Sequence, residues 1–142
     1  MNSALSAAAD GCERNEAERS KRPRLLIVED ETLVALFLSD ILAELNCDVC
    51  GVAASGSEAL GIAGRERPTL ALVDIGLQGS SDGVETAHAL WERFGVPSVF
   101  MSGAADPALL ERARQAEPLD FLQKPYSAAQ LGAVLERVLC DG

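Results

Sequence analysis

From Arg24 onward the chain alternates between two hydrophobic patterns. Short runs of consecutive apolar residues are followed by longer stretches in which apolar positions recur every three or four residues. The runs RLLIVE (24–29), DVCGVAA (48–54), LALVD (70–74), PSVFM (97–101) and LDFL (119–122) predict five strands. The intervening helical periods predict helices over 31–45, from Ser55 or Ser57 to about Glu66, over 84–94, over 107–116, and from a Ser127 cap to about Cys140. Apolar residues fill the strands without alternation, so each strand is expected to be covered on both faces. Five such units specify a parallel sheet between two layers of helices, a three-layer α/β/α sandwich with right-handed crossovers. Residues 1–23 are rich in Ala, Ser, Glu and Arg and hold no sustained apolar period. They are expected to form a mobile tail, with residues 24–142 as one domain.

Composition agrees with a single core. A chain of 142 residues, 48% apolar, is long enough for one sizeable interior. Charge narrows the function. Acids and bases balance in residues 1–22, so the whole net charge of −10 falls on the folded part. Such a domain repels nucleic-acid backbones and anionic membranes and attracts cations. No apolar run is long enough to insert in a membrane, and the first residues lack the pattern of a secretory signal. A cytoplasmic location with reduced thiols is the expectation for Cys12, Cys47, Cys50 and Cys140. Cys47 and Cys50 match a CxxC spacing, but two ligands without a second pair or a nearby histidine point to packing. His88 is the single histidine and falls mid-helix, which predicts a surface or groove position. Trp91 and Phe94 are expected in the core or in helix packing.

In a parallel sheet, functional groups gather at the carboxyl ends of the strands. Those ends carry Glu29-Asp30-Glu31, Asp74, Ser102 and Lys124-Pro125. With the first and third strands as neighbours, Glu29, Asp30 and Asp74 converge, and three close carboxylates repel one another. A divalent cation relieves that conflict, and an all-oxygen donor set suits Mg²⁺. Glu31 reads instead as a charge at a helix start. A hydroxyl from Ser102 and an ammonium from Lys124 complete a niche for a phosphoryl group carried on an aspartate, an established kind of covalent intermediate.

On these segments (LIVEDE, LALVD, the Ser-Gly after VFM, and QKPY) residues 24–140 resemble the response-regulator receiver domain of bacterial two-component systems. The resemblance implies strand order 2-1-3-4-5, the flavodoxin-like arrangement. It implies Asp74 as phospho-acceptor and Glu29, Asp30, Asp74 and the Gly76 carbonyl as Mg²⁺ ligands. It further implies Ser102 and Phe121 as switch residues, Lys124 as the ion-pairing group, and a cis bond between Lys124 and Pro125. The loop after Asp74 is similar to that of a stand-alone receiver group, with one extra residue and no Met-Pro. Gly76, smaller than the usual side chain there, predicts a water-accessible site and a short-lived phosphoaspartate.

The implied function is a single-domain response regulator, not a conventional enzyme, that promotes its own phosphorylation and dephosphorylation. Its donor is a histidine kinase or a phosphotransfer protein. Its signal leaves by protein contact through the face of the fourth helix, fifth strand and fifth helix, where a homodimer also can form. A phosphate sink in a phosphorelay is one alternative. An aspartate-nucleophile phosphatase of the haloacid-dehalogenase type is another, but that chemistry wants an acid where Gly76 stands. A flavin or nucleotide binder would need a phosphate cradle after the first strand, where this chain puts three acids.

Overall fold

A computed structural model describes residues 22–76, 83–103 and 107–140. Most of the expected tail and parts of the loops after Asp74 and Ser102 lie outside the described residues. The elements run β1 (Arg24–Val28), α1 (Thr32–Glu44), β2 (Asp48–Ala53), α2 (Gly56–Glu66), β3 (Leu70–Asp74), α3 (Gly83–Phe94), β4 (Ser98–Ser102), α4 (Pro107–Gln115), β5 (Asp120–Gln123) and α5 (Ala128–Cys140). All strand pairs are parallel, in the order β2-β1-β3-β4-β5.

Alternation along each strand divides the interior in two. Leu25, Ile27, Leu70, Leu72, Val99 and Met101 meet α1 and α5 on one face. Leu26, Val28, Ala71, Val73 and Phe100 meet α2, α3 and α4 on the other. A strand that must cover both faces carries apolar side chains at every position, which is the source of the uninterrupted runs.

Helix starts follow local chemistry. Ser55 Oγ accepts the Glu58 N–H, and Glu58 reaches back to the Ala54 N–H. At α5, Ser127 and Gln130 exchange side-chain and backbone bonds in a capping box. At α3 the start is steric. A Cβ on Gly83 would sit 2.4 Å from the Asp74 carbonyl oxygen and 2.6 Å from the Ile75 Cα. The helix therefore begins directly on the backbone that follows β3.

Several expectations shift. β4 begins at Ser98 and reaches Ser102, and β5 runs one residue later than the pattern implied. Pro97 still joins the sheet as an acceptor, because its carbonyl takes the Ala71 N–H. Trp91 is 57% exposed and not in the core. Leu90 fills the inward position beside Val84 and Ala87, leaving Trp91 on the flank of the buried stripe. Phe94 packs against the core, and His88 is exposed. Cys47 lies in the core on the α1/α5 side, while Cys50 is the extra residue of a bulge between β1 and β2. Both thiols are free, and burial pushes both above the ordinary cysteine value.

Candidate functional site

The carboxyl ends of β1, β3 and β5 deliver charged groups to one place, with the tip of β4 lying between those of β3 and β5. Glu29 follows β1 and is held by its own N–H, which donates to Ala53 of β2. Its side chain is fully buried. One Glu29 carboxylate oxygen accepts the Glu31 N–H at 3.2 Å, which fixes the turn into α1. Asp74 ends β3 with its side chain 10% exposed, and its Oδ1 accepts the Gly76 N–H at 2.9 Å. Ser102 ends β4 and is buried. Its carbonyl takes the Lys124 N–H at 2.7 Å, which ties the lysine to the sheet at the point where β5 finishes. The Lys124–Pro125 peptide bond is cis.

From that anchor the Lys124 ammonium lies 3.2 Å from Glu29 Oε1 and 3.2 Å from Asp74 Oδ2. One cation thus bridges two buried carboxylates from different strands. Donor oxygens of Glu29, Asp30 and Asp74 come within 4.8 Å of one another. The sequence-predicted residues Glu29, Asp30, Asp74 and Lys124 are therefore brought together. Ser102 sits one residue beyond Met101, the partner of Asp74 in the β3–β4 ladder. Gly76 is exposed, immediately beside Asp74. Glu31 precedes α1 as its N-terminal cap position, is exposed, and makes no side-chain cap. Phe121 pairs with Phe100 across β4–β5 and is 36% exposed, at a distance along β5 from the acidic cluster.

The electrostatics follow from the burial. Desolvation, joined by the repulsion of Asp74, raises Glu29 above the ordinary carboxyl value in spite of Lys124 and the Glu31 N–H. Burial opposes the charge on Lys124, but Asp74 and Glu29 outweigh it and raise the lysine. Tyr126, also raised by burial, donates to Met101 Sδ at 3.6 Å and walls the lysine side. Three carboxylates and the Lys124 ammonium meet in this niche. Oxygen donors from acids of this kind suit a hard divalent cation.

Sequence reasoning did not single out Gly83, Tyr126 or the exposed apolar face of α1. Leu33, Leu36 and Phe37 are 79%, 57% and 62% exposed. Phe37 also lines an open cleft with Val34, Gly103, Lys124 and Tyr126. The signal for that face was present, since TLVALFL carries more apolar residues than a one-sided helix needs.

A family model of the response regulator receiver domain matches residues 25–136. The chain is 31% identical over 121 residues to the transcriptional regulatory protein PdtaR of Mycobacterium tuberculosis, a match covering 85% of this chain and 58% of that one. It is 35% identical over 116 residues to the phyllosphere-induced regulator PhyR of Methylorubrum extorquens, covering 81% and 43%. The chain thus spans about half the length of these curated relatives. Among solved structures it is similar to the signal receiver domain of a modulated diguanylate cyclase from Desulfovibrio desulfuricans G20. The TM-score is 0.80 at 39% identity, covering 85% of this chain and 96% of that one.

Proposed function

The chain belongs to the response regulator receiver domain family, and from that premise we propose that Asp74 accepts a phosphoryl group from a phosphohistidine on a histidine kinase or phosphotransfer protein. The observation that carries this reading is the Lys124 ammonium set 3.2 Å from both Asp74 and Glu29, with Asp30 in the same cluster.

An Asp74 carboxylate oxygen attacks phosphorus in line, the O–P bond forms, and the P–N bond to the donor imidazole breaks. Mg²⁺ held by Glu29, Asp30, Asp74 and the Gly76 carbonyl would shield the carboxylates and the charge on the transferred group. Lys124 neutralises charge from the opposite side and keeps Asp74 oriented. The Ser102 hydroxyl, buried at the tip of β4, turns toward the new phosphoryl oxygens. Phe121 then changes its exposure, which alters the face of α4, β5 and α5. That face passes the signal to a partner protein or to a second copy of the chain. This is a population shift between two arrangements of one fold, biased by a local change of charge. A phosphatase reading lacks its acid, because the residue two places after Asp74 is Gly76.

Incubation with acetyl phosphate and Mg²⁺, followed by intact-mass measurement, tests the acceptor. The wild type is expected to gain one labile phosphate adduct and Asp74→Ala none. An unmodified wild type, or an adduct on the variant, contradicts the proposal.

A further inference from the structure

The opposite end of the sheet carries a second feature that phosphoryl chemistry does not use. A cleft of about 370 Å³ lies between the C-terminal parts of α3 and α4, at the amino ends of β4 and β5. Trp91 and Leu119, 57% and 50% exposed, stand in its lining, and Phe100 and Ser98 of β4 also line it.

Ser98 is the unexplained group. It is 6% exposed, and its Oγ is buried with no hydrogen-bond partner among the described residues. Its backbone is satisfied, since the carbonyl takes the Leu119 N–H at 2.8 Å. Phe100, two residues on, packs with Ala87, Leu90 and Ala113 under α3 and α4. The period of two puts the Ser98 side chain on that same face. A buried hydroxyl without a partner costs free energy, so a serine here, where an apolar residue would fit the core, points to a partner from outside.

The remaining lining sets the charge of that partner. Glu92 and Glu117 are both at the cleft, and neither is ion-paired among the described residues. No Lys or Arg lines it, and its one basic side chain is His88, an imidazole that is neutral when deprotonated. An aromatic face, two unpaired carboxylates and a buried acceptor match a flat cation that can donate N–H bonds.

We propose that the α3–α4 cleft binds a small planar cation, an amidinium or guanidinium on an apolar body, stacked on Trp91, and that its entry shifts the side chains covering Ser98 Oγ so that this oxygen accepts an N–H bond. The site is separate from the carboxylate cluster and does not depend on phosphorylation of Asp74. Ser98 and Ser102 are the two ends of β4, so the cleft and the cluster share one strand.

Trp91 is the only tryptophan, so its indole N–H gives a single NMR resonance that reports on the cleft. Benzamidine titrated into the full chain is expected to move that resonance saturably. Ser98→Ala is expected to weaken binding by about tenfold while leaving Tm at or above wild type, because it removes an unpartnered group. Glu92→Gln with Glu117→Gln is expected to weaken it also. Benzoate is expected not to bind. No saturable shift with benzamidine, equal affinity in the variants, or equal binding of benzoate would overturn the proposal. So would binding of an acetyl-Gly-Arg-Gly amide by a chain that ignores benzamidine, since that outcome assigns the cleft to a protein partner.

Discussion

Asp74 and Glu29 are both buried, yet among the described residues a single lysine bridges them, and that imbalance governs the chemistry at the residue scale. Gly76, immediately after Ile75 and beside Asp74, is the proposed control on water access to that carboxylate. A Cβ there would lie 3.4 Å from Asp74 Oδ1, an ordinary contact, so larger side chains fit. Gly76→Arg is therefore expected to slow loss of phosphate from Asp74, read as the decay of the intact-mass adduct, and an unchanged or faster decay contradicts this. Asp120 offers a pH test away from the cluster. Burial pushes its carboxyl up, but Arg137, 2.6 Å away, and the Phe121 N–H together hold it below its ordinary value of 3.8. A depressed carboxyl stabilises the fold above that ordinary value and loses its contribution as pH falls through the lowered one. Asp120→Asn is expected to cost about 0.5–1 kcal/mol at neutral pH in urea unfolding. The deficit should shrink steadily below pH 3.8, and a deficit independent of pH contradicts the assignment. Glu29, Asp30, Asp74 and Lys124 were legible in the sequence because strand tips of a parallel sheet converge and the strands could be located. Lys124 was expected as an ion-pairing group, but its simultaneous contact with Glu29 and Asp74 was not legible, because it depends on how far the β5 tip reaches across β4 toward β3. Ser98 was unreadable for a related reason. Only the completed fold shows that its neighbours leave the hydroxyl without a partner.

At the scale of elements, strands and helices were legible almost to the residue, since burial on both faces writes a different pattern from burial on one. The failures fall where one element meets another. Trp91 looked like core because it lies one turn from Ala87, but Leu90 already takes the inward place. Gly83 looked like part of a loop, although it is the point where α3 rests on the backbone after Asp74. Any side chain there must push α3 away from β3. Gly83→Ala is expected to cost about 3 kcal/mol, the upper part of the usual range for overpacking, in chemical unfolding. It should also slow phosphorylation of Asp74 by acetyl phosphate. A variant as stable as wild type would show that α3 can retreat without loss. The bulge at Cys50 is another feature that a strand pattern cannot reveal, because it appears only when β1 and β2 are set in register.

The whole molecule separates its chemistry along the sheet axis. The carboxyl ends hold the acidic cluster, beside an exposed apolar face of α1 that includes Leu36 and Phe37. The amino ends of β4 and β5 hold the α3–α4 cleft. Sequence reached the three-layer architecture from hydrophobic pattern alone, whereas the strand order came through resemblance, because pattern does not say which strands are neighbours. Among the described residues no helix is long and apolar enough to cross a membrane. One aspartate of this cluster, Asp74, is proposed to carry the phosphoryl group. Trapping the phosphorylated chain with borohydride, which reduces an acyl phosphate to an alcohol, and mapping the product by peptide mass spectrometry addresses it directly. Homoserine at position 74 alone is the predicted result. Reduction at Glu29 or Asp30, or at no carboxylate, would contradict the account.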